Sequence, residues 1–224
     1  MAEDKVVLVG ADGSPESLGA VDWAVARAAR SGWRVHILCA YSLPSFTTAS
    51  LDGGYAALDD TAIRSGAQAV VDEAVTRAQG KGVTVTSSLE TGDPAGVLVD
   101  LSDEATLAVV GTRGGGGFAD RLLGTVSSAL PAHAHCPTVV VPRHVEGAEY
   151  TPVGRIVVGV DGSDSARKAL RWAVREAEVW GAELTAIAAV PMASGAGALA
   201  WLPAAVDREQ VLTDVRSGLD RAVA

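Results

Sequence analysis

The chain contains one segment twice. Residues 5–41 carry VLVGADGSPES followed by WAVARAARSG, and residues 155–190 carry VVGVDGSDSA followed by WAVREAEVWG. Gly10 matches Gly159, Asp12 matches Asp161, Trp23 matches Trp172 and Gly32 matches Gly181, every pair 149 positions apart with no gap. Such self-similarity marks a copied structural unit, so whatever the first copy folds into, the second begins in the same way.

Each copy opens with a β-branched run ending in Gly-x-Asp-Gly-Ser, the pattern of a strand running into a turn. Apolar residues then recur at helical spacing: Leu18, Val21, Val25 and Ala28 in the first copy, and Ala166, Ala169, Leu170, Ala173 and Ala177 in the second. Ser14 can cap its helix with Pro15 at the first position, and Gly32 and Gly181 can end the two helices. Second strands are expected at 34–40 and 183–190.

The first copy continues through a small-residue loop into a helix with an apolar stripe of Ile63, Ala67, Val70, Val71, Ala74 and Ala78, stopped by Gly80 and Gly82. Residues 83–89 alternate like a strand, Asp93 and Pro94 start a helix carrying Val97, Leu98 and Leu101, and 107–111 form an apolar strand suited to burial on both faces. A further loop and helix lead to a strand at 138–141. Strands alternating with helices predict an α/β fold, a doubly wound five-stranded parallel sheet over residues 1–142.

Residues 143–154, rich in Pro, Gly and charge, read as a linker, and 155–224 as a partial second copy. It holds strand, helix, strand, a Gly/Ala/Pro-rich loop at 190–205 and part of a second helix, where LDRAV echoes VDEAV at 71–75. A parallel half-sheet leaves an apolar edge open, so we expect poor solubility, a borrowed strand or a further C-terminal segment.

Charge narrows the partners. With 18 Lys+Arg against 27 Asp+Glu and a net charge of −9, the chain lacks the dense positive field that non-specific nucleic-acid binding or an anionic membrane surface requires. A polyanion must therefore be held locally. Hydrophobic residues at 48% exclude a disordered chain, no apolar stretch approaches the roughly 20 residues of a membrane span, and the acidic start lacks a signal peptide's basic flank. Cys39 and Cys136 lie far apart outside any CxxC, which favours the cytoplasm over an oxidising compartment.

The stretch 109–128, VVGTRGGGGFADRLLGTVSS, carries the chemistry. It leaves a buried strand, crosses a glycine run at 114–117 and enters a helix with Thr125, Ser127 and Ser128 in its first turn. Glycines let backbone N–H groups converge, and a helix start adds free donors and partial positive charge, so this is a phosphate cradle to which Arg113 or Arg121 can add charge. The alternative is a flexible glycine loop. Placement favours the cradle, because Asp12 and Gly111 follow or end the first and fourth strands, where winding reverses and open α/β sheets bind ligands. GxxxxGK[ST], GxGxxG and GxSxG are all missing, so the P-loop, dinucleotide and hydrolase readings fail.

Other groups weigh less. His133, His135 and Cys136 are neighbours at a helix exit that lack a fourth donor, Trp23 and Trp172 read as packing, and Asp59–Asp60 and Asp72–Glu73 read as helix starts or solvated faces. We find no catalytic set.

The spacing G-x2-G-x9-G-[S/T], filled by Gly111, Gly114, Gly124 and Thr125 and followed by Val126 and Ser127, resembles that of ATP-binding members of the universal stress protein family. The GADGS turn and the PAHAHCPTVVV run are also similar to the family, over 5–142 in full and 155–224 in part. The resemblance implies ATP, with magnesium, as cofactor. It places Gly111, Gly114, Gly124, Thr125, Val126 and Ser127 around the phosphates and ribose, Asp12 against the adenosine, the backbone of Ala40 at the adenine edge, and Val110 among the cofactor-binding residues. Charge agrees for Asp12: a carboxylate beside phosphates is repelled, whereas one accepting ribose or amino protons is satisfied. Its alternative is a turn or cap role. The second copy keeps Asp161 without the glycine motif.

The resemblance further implies self-association through the strand at 138–141 and a nucleotide-dependent stress-response or regulatory role, in which occupancy matters more than turnover. Two other readings stay open: an interaction module without ligand, and a slow ATP-hydrolysing or adenylate-transferring enzyme, for which the GADGS turn offers only Ser14.

Overall fold

The structure, a computed structural model, describes residues 5–42, 60–114, 123–143, 150–189, 213–214 and 216–220. Glycines 115–117, Arg121, Asp59, the loop that follows residue 42, half of the expected linker and the loop at 190–205 lie outside the described residues. Two compact units divide the chain, Met1–Thr151 and Pro152–Ala224.

The first unit runs β1 (Val6–Gly10), α1 (Pro15–Ser31), β2 (Arg34–Tyr41), α2 (Asp60–Ala78), β3 (Val85–Thr91), α3 (Pro94–Leu101), β4 (Leu107–Gly111), α4 (Thr125–His133) and β5 (Thr138–Val141). Local chemistry sets these boundaries. Ser14 accepts from the Ser17 N–H to cap α1, Pro15 fits the first helical position because it has no N–H to leave unpaired, and Gly32 closes the helix in the left-handed region. Asp93 caps α3 in the same way through the Gly96 N–H.

All pairings are parallel, in the order β3-β2-β1-β4-β5. The chain winds outward from β1 to β3 and then crosses back to β4 on the other side of β1, which opens a crevice above the carboxyl ends of β1 and β4. α1 and α2 touch each other, as do α3 and α4, and the two pairs sandwich the sheet. Under α3 and α4 lie Leu8, Leu38, Ala108 and Val110 of the sheet with Leu98 and Leu130 of the helices, all buried. Alternate strand residues Val7, Val9, Val35, Ile37 and Val109, together with Val21, Ala24, Val25 and Ala28 of α1, are also buried. Each fully buried Val or Leu contributes about 1.5–3 kcal/mol, so both faces fasten the strand ends in place.

Three strands depart from the sequence expectation, β2 by the single added residue Tyr41. β3 begins and ends two residues later than 83–89, because β2 extends to Tyr41 and its ladder holds Val85 opposite Val35 and Thr91 opposite Tyr41. β7 (Glu183–Ile187) is shorter than 183–190, with Val190 outside the described residues.

In the second unit, β6 (Arg155–Gly159), α5 (Asp164–Trp180) and β7 repeat the opening of the first, with Ser163 as N-cap and Gly181 in the left-handed region. Its sheet is two-stranded and parallel. Positions 149 apart differ in burial: Leu8 is 2% exposed and Val157 53%, Leu38 1% and Ile187 54%. In the first unit these positions are covered by α3, β4 and α4. Among the described residues of the second unit no element corresponds to those three.

Candidate functional site

Three chain segments meet above the sheet. After β1, the N–H of Ala11 donates to the Leu38 carbonyl at 2.8 Å, which carries Asp12 just past the strand end. Gly13, at φ 78, then turns the chain into α1. Asp12 Oδ1 accepts from the Ser14 N–H at 3.0 Å and the Ser14 hydroxyl at 2.5 Å, so one carboxylate oxygen serves the turn. The other oxygen lies against Gly114: a methyl there would overlap Asp12 Oδ2. The two oxygens of this carboxylate thus face different segments, one the turn and the other the start of the glycine loop.

The second segment leaves β4. Thr112 donates through its N–H to the Val141 carbonyl at 3.0 Å, and its own carbonyl accepts from the Gly124 N–H at 2.8 Å and the Ser127 hydroxyl at 2.7 Å. Ser127 is buried, and its hydroxyl oxygen also accepts from the Gly124 N–H at 2.9 Å. This serine holds the two sides of the glycine loop together, a positioning role distinct from the contact with phosphate or ribose that the resemblance implies. Gly124 is the N-cap of α4, extended at φ −80 and ψ 178, and supplies no side-chain cap bond. α1 and α3 have capping side chains, whereas among the described residues no N-cap side chain takes up the first-turn N–H groups of α4.

The third segment is the start of α3. The Gly92 N–H donates to the Tyr41 carbonyl at 2.9 Å and the Ser42 hydroxyl to the Gly92 carbonyl at 3.0 Å, which fixes Asp93 beside the end of β2.

Together these segments enclose a cavity of about 350 Å³. Asp12, Ala40, Val110, Gly111, Gly114, Gly124, Thr125, Val126 and Ser127 all line it, whereas Ser14 and Ser128 do not. Arg113 lines it too; Arg121 lies outside the described residues. The sequence reading missed the α3 wall of Asp93, Pro94, Ala95 and Leu98, with Leu38 and Gly10 on the floor. Its signal was available: α3 joins β3 to β4, so in a doubly wound sheet its first turn must reach the crevice that the other segments share.

By the strand order, the first turn of α4 and Arg113 line the cavity on its β4 side, and Leu38, Ala40, Asp93, Pro94, Ala95 and Leu98, mostly apolar, line it on its β2 side. Gly10 keeps the floor low, since a methyl there would stand 3.0 Å from Leu98 Cδ1 and 3.3 Å from Val110 Cγ1. The charged lining residues among those described are Asp12, Asp93 and Arg113. Burial, and then the charge of Asp12, push the Cys39 thiol up, which disfavours its thiolate. Cys136 packs against the apolar core, where burial raises it as well. The arrangement suits an elongated ligand with an anionic head and a flat apolar tail.

A profile of the universal stress protein family matches residues 5–142 and 152–220. A universal stress protein of Mycobacterium tuberculosis is 33% identical over 192 residues, covering 81% of this chain and 62% of the relative, so the chain spans less than two thirds of that relative's length. The crystal structure of a universal stress protein from Archaeoglobus fulgidus covers 97% of this chain and 73% of its own with a TM-score of 0.67 and 17% identity, a likeness of fold. A crystal structure of a universal stress protein in complex with cAMP is 30% identical with a TM-score of 0.49, covering 64% of this chain and all of its own. Among the described residues no helix is long and apolar enough to cross a membrane. The 149-residue repeat, the strand order and a family match over both copies agree: the chain belongs to the universal stress protein family.

Proposed function

We propose that the cavity of the first unit binds ATP with magnesium, and that the protein is a cytoplasmic, nucleotide-dependent regulatory binding protein of the stress response. The observation that carries this reading is the uncapped start of α4, whose first turn opens onto the same cavity as Gly124 and the end of β4. Backbone donors and the helix dipole there suit phosphate oxygens in a chain with a net charge of −9. The mostly apolar side suits a purine, and Asp12 between the two sides suits ribose hydroxyls. The described residues include no cluster of three or more His, Cys, Asp or Glu able to hold a metal ion, so in this reading magnesium is carried by phosphate oxygens and water.

Occupancy is the proposed mechanism. A ligand touching the GADGS turn, the glycine loop and α4 at once favours the conformation in which the three are aligned, and it shifts the population by its preference for that state. The surface that changes is assigned to β5, an edge strand next to β4 in the sheet, through which we propose self-association.

The test is a thermal shift with Mg-ATP, and with AMP and cAMP in parallel. At a hundredfold excess over the dissociation constant, Mg-ATP should add about 2.7 kcal/mol of stability. No shift with any of the three nucleotides would overturn the reading.

A further inference from the structure

We infer that Asp93 faces the six-position of the bound purine and makes the cavity select a 6-amino over a 6-oxo base, an inference that rests on the adenine-nucleotide reading above. The sheet order supports the placement. α4 starts after β4, and Asp93 is held at the end of β2 by the Gly92–Tyr41 and Ser42–Gly92 hydrogen bonds, with β1 between β4 and β2. Two strand spacings of about 4.8 Å separate the ends of the cavity by about 10 Å, the span from the 5′ end of a nucleoside to the far edge of its base. A nucleotide with its phosphates on α4 therefore brings its base edge to Asp93. Between them Pro94, Ala95, Leu98, Leu38 and Ala40 form an apolar slot for the ring.

The chemistry of Asp93 then sets the preference. Its Oδ2 accepts from the Gly96 N–H at 2.9 Å, capping α3, and Oδ1 keeps its acceptor capacity. An ionised carboxylate only accepts. A 6-amino group donates to it, whereas a 6-oxo group sets lone pairs against lone pairs and leaves two acceptors facing each other. Asp93 is exposed, so water tempers both terms and the discrimination is moderate. Of the other charged groups lining the cavity among the described residues, Asp12 lies against Gly114 in the glycine loop and Arg113 belongs to that loop, so among the described residues Asp93 is the charged group at the base end.

The experiment is calorimetric titration of Mg-ATP and Mg-ITP into the full chain, as wild type, Asp93→Asn and Asp93→Ser. Asn and Ser both keep the helix cap, so folding is preserved. Asn can turn its amide to donate to a 6-oxo group, and Ser removes the charge. Wild type should bind ATP about tenfold more tightly than ITP, a difference of about 1.4 kcal/mol. The ratio should fall to about threefold or less in both variants, with ITP gaining affinity in Asp93→Asn. Equal affinities in wild type, or a ratio that persists in both variants, would overturn the role of Asp93 while leaving the nucleotide site standing. Failure of wild type to bind either nucleotide would overturn both.

Discussion

A methyl group on Gly111 would stand 2.6 Å from the carbonyl carbon of Glu16 and 2.7 Å from its carbonyl oxygen. Neither backbone can yield, because Gly111 ends β4 and Glu16 lies in the first turn of α1. This glycine lets the helix start dock on the strand end, whatever else it does for a ligand. Gly111→Ala should therefore cost about 1–3 kcal/mol of stability, as overpacking does, seen as a lower urea midpoint in the absence of nucleotide. An unchanged midpoint would mean that the close approach is not tight.

Ser127 should behave as a clasp. Replacing it with Ala removes the 2.7 Å bond to the Thr112 carbonyl and the 2.9 Å bond from the Gly124 N–H. The Gly124 N–H and the Thr112 carbonyl keep their mutual 2.8 Å bond, so the loss is that of the serine's own hydrogen bonds, about 0.5–1.5 kcal/mol each, and Ser127→Ala should lower the melting temperature without ligand and weaken ATP as a consequence. If ATP affinity fell with no loss of stability, the hydroxyl would be a direct ligand contact instead.

Asp22 ties α1 to α2 through Arg77, at 2.9 Å to Nε and 2.5 Å to Nη2, and through Lys81 at 3.0 Å. Burial pushes its carboxyl up, but hydrogen bonds from both cations and their charge outweigh this and leave it below the ordinary 3.8. A lowered folded-state value gives stability that is present above 3.8 and lost as pH falls through the folded value. All three side chains are at least a third exposed, so solvent screening limits the contribution to about 0.5–1 kcal/mol. Asp22→Asn should cost that amount at pH 7, and the difference should close once acid protonates the wild-type carboxyl. A deficit that is the same at both ends of the pH range would point to packing rather than charge.

Matched truncations should separate the two copies. Leu8→Ala removes a fully buried side chain and should cost about 2–5 kcal/mol. Val157→Ala, at the repeat position 149 residues on, acts on an exposed side chain and should stay within about 0.5 kcal/mol. A large cost at Val157 would show that its face is covered in solution.

These pairs show what was legible beforehand. Ser14, Pro15 and Gly32 act within one turn of their own helix, so caps and helix ends could be read directly from the sequence. The α2 stripe could be read as well: Val71, Ala74 and Ala78 are buried, and Ile63, Ala67 and Val70 partly so. Cross-chain facts could not. The β3 boundary depends on its ladder with β2, and the difference between Leu8 and Val157 depends on elements far along the chain. Gly111 and Gly124 look alike in a spacing motif, yet only the first is pressed by protein backbone. Asp93 is the helix cap that the sequence suggests, and its place on the cavity could not be read because it follows from where α3 crosses the sheet.

Gly124 offers the most direct test. A methyl there meets Arg113 Cα and the Thr112 carbonyl oxygen at 3.6 Å and Ser127 Oγ at 3.7 Å, ordinary contacts, so the fold alone does not require glycine at this position. Mg-ATP should be titrated calorimetrically into wild type and Gly124→Val, with the melting temperature of each recorded without nucleotide. The account predicts saturable heat in wild type and affinity weakened at least about tenfold in the variant, with about 1 kcal/mol or less lost in stability. No heat in wild type, or equal affinity in the two proteins, would contradict it.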